Sequence, residues 1–312
     1  MPPKNRIYVA LSEFCRYDRS PRSLLDSAGF EIQENTLGRR LKPEEIPSLL
    51  RDSEAVIAGV EPYTTQVLEA LPKLRLISRC GIGTDSIDLE TARRHGISVL
   101  TTGDEVVEPV AQMALAMILA LARNLPLHAA DFRAGEWKKH TGHLLSEWTI
   151  GLIGFGRIGK ALHRILRPFA CRVLVYDPHL PDQRIPEGVE SVDLPTLLKS
   201  ADLVSLHASP PAGGPPLLGR EELAQMRPGA RLVNTARGRL VDEEALLEAL
   251  ESGRLAAAAL DVFADEPYAG SLSRLPQVLC TPHVSSLTVH SRSQMELRSA
   301  RNVVEFFQRE KT

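Results

Sequence analysis

The sequence predicts an α/β fold in which two domains are each built on a doubly wound parallel sheet. Two observations carry this. The first is a composite motif. An apolar run at 149–153 leads into Gly154, Gly156 and Gly159, spaced Gly-x-Gly-x-x-Gly; an amphipathic stretch follows, then a second apolar run, 173–176, ending in Asp177. The second is the alternation of strand and helix signals through the first hundred residues, which resumes after the motif. Strands alternating with helices pair in parallel and cross over right-handed.

Each part of the motif has a physical reason. Gly154 permits the tight turn out of the strand, Gly156 lets a pyrophosphate approach the backbone, and Gly159 lets the helix pack closely on the strand. The helix opens at Arg157 and Ile158, where free N–H groups can hold the anion. Asp177 can accept hydrogen bonds from both hydroxyls of an adenosine ribose and would repel a 2′-phosphate, so the expected cofactor is NAD rather than NADP. A glycine pattern alone is weak evidence, but here the strand before it, the helix after it and the terminal acid are all present.

Composition sets the outer bounds. At 312 residues the chain exceeds one typical core, so two domains are expected. It is 43% hydrophobic and 24% charged, with a net charge of −2, which gives no sign of nucleic-acid or acidic-membrane binding. No apolar stretch reads as long enough to span a bilayer, and the start of the chain has no secretory character. Cys15, Cys80, Cys171 and Cys280 lack metal-ligand spacing and read as reduced thiols, so no metal and a cytoplasmic setting are expected.

In chain order, the first domain reads as strand 7–11, helix 21–28 closed by Gly29, strand 55–60, helix 65–71 and strand 75–78. The glycine-rich loop Cys80-Gly81-Ile82-Gly83-Thr84-Asp85 follows, then helix 89–95 closed by Gly96 and strand 97–100. Residues 108–123 form a long helix, apolar on most faces. Residues 124–147 carry Trp137 and lack clear periodicity; they read as a surface excursion or, preferably, an arm that packs on a second subunit. After the glycine motif come strand 203–207, a proline-rich loop at 209–216, helix 220–226 and strand 231–235. A helix at 243–251 is capped by Asp242 and stopped by Gly253. Strands 257–262 and 278–281 and a last helix at 287–308 complete the chain.

Ligands of an open parallel sheet bind outside the carboxyl ends of its strands. Arg237, Glu266 and His283 all fall at or just after such ends. Together they suit the reduction of a 2-oxo acid. Arg237 offers a planar fork for a carboxylate. His283 can give a proton to the carbonyl oxygen as a hydride arrives, or take it back in reverse. Glu266 can bond the other ring nitrogen and orient the imidazole. Each residue also has an ordinary structural reading (a strand-end cap, a turn acid, a half-buried histidine), and singly that reading is the commoner one. Three such groups beside a dinucleotide motif favour the functional reading.

The sequence resembles the D-isomer-specific 2-hydroxyacid dehydrogenases, including phosphoglycerate dehydrogenase. The matching stretches are Gly-Phe-Gly-Arg-Ile-Gly-Lys (154–160), Asn-Thr-Ala-Arg-Gly (234–238), Val-Asp-Glu-Glu-Ala-Leu (241–246), Leu-Asp-Val-Phe (260–263) with Glu266-Pro267, and Thr-Pro-His (281–283). The resemblance implies a Rossmann NAD-binding domain at 104–285, inserted into a flavodoxin-like substrate domain made of 1–103 and 286–312. It also implies that Arg237, Glu266 and His283 are catalytic and that Gly81, Ile82 and Gly83 hold the substrate carboxylate with Arg237. His207, Ala208, Thr235 and Ala236 join the cofactor side, as does His283, and Asp261 contacts the nicotinamide carboxamide. The region from the long helix through Trp137 matches a dimerisation arm, so a homodimer is implied. The chain departs from the family's usual pattern at 101–106, at 209–212, and at 284–286, where Val-Ser-Ser stands in place of a glycine or alanine pair. No regulatory domain is expected after residue 312.

These readings define an NAD-dependent oxidoreductase that interconverts a D-2-hydroxy acid and its 2-oxo acid. After residue 60 the chain reads Glu61-Pro62-Tyr63-Thr64 and offers no cation for a substrate phosphate, and Arg79 reads as a surface residue at a strand end. A small unphosphorylated acid is therefore expected. The alternatives are a glyoxylate or hydroxypyruvate reductase, a 3-phosphoglycerate dehydrogenase, and, outside enzymes, an NAD(H)-sensing corepressor-like binding protein.

Overall fold

In the computed structural model, residues 5–180, 186, 188–210 and 214–309 are described. The chain divides into two compact units, Met1–Val106 with Leu287–Thr312, and Val107–Ser286.

The first unit holds a five-stranded, all-parallel sheet. Its strands are β1 (Arg6–Val9), β2 (Glu31–Glu34), β3 (Ala55–Ala58), β4 (Leu76–Arg79) and β5 (Ser98–Thr101), in the order β2-β1-β3-β4-β5. The central strands β3 and β4 are buried at every position, as strands covered on both faces must be. The crossovers carry α1 (Ser20–Ser27), α2 (Ile46–Leu49), α3 (Thr65–Glu69) and α4 (Leu89–Arg94). Thr64 caps α3 by accepting from the Val67 N–H, and Asp88 caps α4 by accepting from the Thr91 N–H. Tyr63 N–H donates to the Ser86 carbonyl at 2.7 Å and the Asp88 N–H to the Tyr63 carbonyl at 2.9 Å, so the loops after β3 and β4 are stapled together.

The second unit opens with α5 (Val107–Ala122) and α6 (Leu125–Arg133). Its seven-stranded, all-parallel sheet comprises β6 (Thr149–Ile153), β7 (Arg172–Tyr176), β8 (Val189–Ser191), β9 (Leu203–Leu206), β10 (Ala230–Asn234), β11 (Leu255–Leu260) and β12 (Val278–Cys280). The order β12-β11-β10-β9-β6-β7-β8 reverses direction between β6 and β9. That reversal is the switch point at which doubly wound sheets bind dinucleotides. The helices are α7 (Arg157–Leu166), α8 (Leu194–Ser200), α9 (Arg220–Gln225) and α10 (Glu243–Glu251); α11 (Val289–Arg309) returns the chain to the first unit.

Several expectations change. Residues 124–147 are not irregular throughout, since α6 occupies Leu125–Arg133 after a left-handed Asn124. The segment Asp104–Ala122 is long and apolar enough to cross a membrane by length and composition, contrary to the expectation that no segment was. From Val107 on it packs against α7, with Ala111, Ala114, Met117, Ile118 and Leu121 in the core of the second unit. Pro211 and Ala212, within the divergent 209–212 stretch, and residues 1–4 lie outside the described residues.

Candidate active site

The glycine loop closes on itself and on its neighbours. Gly154 takes φ +91°, and a Cβ there would lie 2.6 Å from the His207 carbonyl carbon. A side chain is therefore excluded where the ends of β6 and β9 touch. A Cβ on Gly159 would lie 2.4 Å from the Gly154 carbonyl oxygen, so the first turn of α7 sits directly on the loop. Gly156, the N-cap of α7, has open space where its side chain would be, leaving the N–H groups from Arg157 and Ile158 onward approachable by an anion. Asp177 follows β7, and its carboxylate accepts from the Phe155 N–H and the His179 N–H, both at 2.8 Å.

His207 follows β9. Its Nε2 lies 2.9 Å from the Ser205 hydroxyl, its Nδ1 is buried with no partner among the described residues, and burial pushes its pKa down to about 4. Ala208 continues the chain beside Gly154. The Thr235 hydroxyl after β10 is likewise buried with no partner among the described residues. An open cradle at a helix N-terminus, an acid at the next strand end and two orphaned polar atoms along the switch point fit a dinucleotide. Thr235, Ala236 and Arg237 form one turn. Asn234 shapes it, accepting from the Ala236 N–H at 3.0 Å and donating to the Arg237 carbonyl at 2.9 Å. A Cβ on Gly238 would lie 1.9 Å from the Phe263 carbonyl carbon, so only glycine lets this turn lie against the chain after β11.

His283 and Glu266 meet. The imidazole Nδ1 lies 2.9 Å from Glu266 Oε2 and 3.2 Å from Oε1, with the two side chains 45% and 33% exposed. Glu266 Oε1 also accepts from the Phe263 N–H at 3.1 Å, which fixes the carboxylate from behind. With Nδ1 donating to Glu266, Nε2 is left to exchange a proton with a substrate. Arg237 follows β10, Glu266 the stretch after β11, and His283 follows β12, three neighbouring strands. The Arg237 guanidinium bonds the Ala236 carbonyl at 2.7 Å, drawing it back over its own turn.

Asp261, the residue after β11, is held by the chain that carries His283. It is fully buried, and its carboxylate accepts from Thr281 Oγ1 at 2.5 Å and from the Val284 and Ser285 N–H groups at 2.9 Å each. Its oxygens are taken up by the loop that carries His283. Sequence reasoning assigned no task to Thr281 or Asn234, although both stand inside the quoted Thr-Pro-His and Asn-Thr-Ala-Arg-Gly stretches.

Gly81, Ile82 and Gly83 belong to the first unit, where Gly81 takes φ +146° at the end of β4. Arg79 is buried rather than at the surface; its guanidinium lies against Gly81 and donates to the Cys80 carbonyl.

A dinucleotide cradle at the switch point, with an imidazole–carboxylate pair and an arginine at the adjoining strand ends, defines an NAD-dependent dehydrogenase. A family profile described as the NAD-binding domain of the D-isomer-specific 2-hydroxyacid dehydrogenases matches residues 115–285. The chain is 37% identical over 269 residues to a glyoxylate reductase of Thermococcus litoralis, covering 82% of this chain and 81% of that protein. It is 38% identical over 264 residues to a D-3-phosphoglycerate dehydrogenase of Methanocaldococcus jannaschii, covering 83% of this chain but only 50% of that one. Among solved structures, a putative D-isomer-specific 2-hydroxyacid dehydrogenase from a Polaromonas species superposes with a TM-score of 0.87 at 28% identity, covering 98% of this chain and 97% of the other. The chain belongs to the D-isomer-specific 2-hydroxyacid dehydrogenase family.

Proposed function

We propose that the protein reduces a small, unphosphorylated 2-oxo acid to the D-2-hydroxy acid with NADH. The observation that carries this reading is the His283–Glu266 contact of 2.9 Å at the strand ends beside the dinucleotide cradle. When bound, NADH supplies the hydride. His283 Nε2 donates the proton to the carbonyl oxygen, Glu266 holds the ring through Nδ1, and Arg237 grips the substrate carboxylate with its planar fork. In the first unit, the Gly81, Ile82 and Gly83 loop offers the N–H groups of Ile82 and Gly83 to a carboxylate, the Gly81 N–H donating to the Arg79 carbonyl at 2.9 Å. On the cofactor side, Gly154, Gly156, Arg157, Ile158 and Gly159 hold the pyrophosphate and Asp177 the adenosine ribose, with His207, Ala208, Thr235 and Ala236 along the switch point.

The absence of a phosphate on the substrate is supported by the loop after β3. There Glu61 is buried, accepting from the Gly59 N–H at 2.6 Å, and burial raises its pKa; the stretch 61–64 brings no cation. The relative named a glyoxylate reductase agrees in kind. The protein acts as a cytoplasmic homodimer, a reading supported by the exposed apolar residues of the arm, Leu125, Phe132, Trp137 and Leu144.

NADH oxidation followed against glyoxylate, hydroxypyruvate, pyruvate, branched 2-oxo acids and phosphohydroxypyruvate tests the substrate. Turnover is expected with glyoxylate or hydroxypyruvate, and a strong preference for the phosphorylated acid would overturn the reading. In the His283→Ala protein, turnover should fall by ~100-fold or more while NADH still binds. Lost NADH binding would make His283 structural. No turnover with any acid, despite tight NADH binding, would favour a sensing protein.

A further inference from the structure

We propose that the first unit carries a second ligand site, a cleft between β5 and the C-terminal half of α11 that takes a small organic acid by its carboxylate and lays the acid's apolar chain along the strand. The cleft shares no residue with the catalytic machinery or the dinucleotide cradle, and the proposal does not depend on which substrate the protein reduces.

The cleft encloses about 630 Å³, a size that suits a small molecule, and runs along β5 from Ser98 to Thr101. Among the described residues, β5 is the last strand of its sheet and pairs only with β4. The Ser98 and Thr102 N–H groups donate toward that neighbour, to the Arg75 and Arg79 carbonyls. In a parallel strand the intervening positions face the other way, so the Val99 and Thr101 N–H groups point to the open edge, where they can donate to a ligand. Asn302, buried on α11, ties the two walls together. Its Nδ2 donates to the Thr101 carbonyl at 3.3 Å and to Ser78 Oγ at 3.4 Å.

The helix brings the charge. Arg298 and Arg309 line the cleft against one acid, Glu305. Arg298 Nη1 meets Glu305 Oε1 only at 3.5 Å, longer than the roughly 2.7–2.9 Å of a committed charge-assisted bond. A ligand carboxylate that meets the guanidinium fork side-on forms two such bonds at once. Val99, Leu100 and Phe306 supply the apolar surface, and Arg75 lies over the Phe306 ring, 5.9 Å from its centre. An arginine fork and edge amides beside an apolar wall select an acid over an amine or an alcohol of the same chain length.

The test titrates hexanoate, hexylamine and 1-hexanol into the full chain, with calorimetry for affinity and NMR of the Val99 and Thr101 amides for location. Hexanoate should bind with a Kd below about 10 mM and shift both amides. The amine and the alcohol should bind at least about 10-fold more weakly. The same amide shifts should appear in the Arg237→Ala protein, which separates this cleft from the substrate position. Arg298→Ala should weaken hexanoate by ~10-fold, as expected when bonds to a charged group are lost, with kcat within about 2-fold of the parent. Glu305→Gln should tighten it by about 3-fold, because the competing acid is gone. Effects of opposite sign separate a ligand contact from a general disturbance of the helix, and if Arg298→Ala fails to fold, Glu305→Gln decides the matter. No hexanoate binding up to about 10 mM would overturn the proposal. So would equal binding of the three probes, an unchanged Kd in Arg298→Ala or Glu305→Gln, or amide shifts that vanish in Arg237→Ala.

Discussion

Asp177, the acid proposed to hold the adenosine ribose, also belongs to the framework. It accepts from the Phe155 N–H inside the glycine loop and from the His179 N–H beyond β7, so it ties the two strand ends that border the cradle. Replacing it by alanine should therefore do two things. Preference for NADH over NADPH should narrow, since the charge that repels a 2′-phosphate is gone. NADH itself should bind about 10-fold more weakly, as expected when hydrogen bonds to a charged group are lost. Titration of both nucleotides reads the two effects separately. An unchanged ratio would show that the ribose lies elsewhere. At this scale the sequence was informative where a residue type announces chemistry: an arginine, a glutamate and a histidine at strand ends, and an acid after β7. Asp261 was legible as a motif position but not in its surroundings. Whether a strand-end carboxylate faces a ligand or turns into the adjoining loop depends on burial, and burial follows from packing that residue order does not state.

Elements with a strong apolar period were readable in the same way; β3, β4 and β9, buried throughout, β6, buried from Ile150 on, and α10 behind Asp242 stand where their patterns place them. What escaped notice were pieces whose patterns are short or half solvated. β2 reads Glu-Ile-Gln-Glu on the sheet edge, β8 is three residues at the opposite end of the other sheet, and α2 and α8 are brief helices with proline in the first turn. The helix α6 is the instructive case. None of its residues is buried within the chain, so it has no apolar stripe turned to a core by which a period could be detected. Two of its apolar residues are exposed instead, Leu125 at 53% and Phe132 at 69%, the latter in ring contact with Trp137, itself 82% exposed, at 6.1 Å. Large apolar side chains grouped this way on a surface mark a candidate interaction site. A second copy of the chain is the partner the homodimer reading requires. The double variant Phe132→Glu with Trp137→Glu should then sediment at half the parent's mass while keeping its far-ultraviolet circular dichroism. A mass equal to the parent's would place the subunit contact, or the absence of one, elsewhere.

Across the whole molecule the two units carry buried titratable groups of opposite sign, which makes their stabilities respond differently to mild acid. In the second unit, burial lowers the pKa of His163 and brings that of His207 down to about 4. Between the ordinary histidine value near 6.5 and that folded value, the unfolded chain binds a proton that folded His207 does not. Stability therefore falls as pH falls, by up to about 1.4 kcal/mol per pH unit for one such group. In the first unit, burial raises the carboxyls of Glu61 and Glu296, and Glu296 is further tied to the Cys15 N–H and the Arg292 guanidinium. A raised carboxyl contributes stability that is complete below its unfolded value and lost as pH rises through its folded one, so acid relieves this unit rather than straining it. The half-buried carboxylates of Glu45 and Asp88, both held near 2 by hydrogen bonds, release their contributions only in stronger acid. Amide hydrogen exchange at about pH 7.5 and about pH 5.5, corrected for intrinsic rates, should show protection falling in β6, β9 and α7 while β1, β3 and β4 hold. His207→Gln should shrink the acid response of the second unit, because the buried imidazole is its source. Equal loss of protection in both units would mean that neither histidine governs the response.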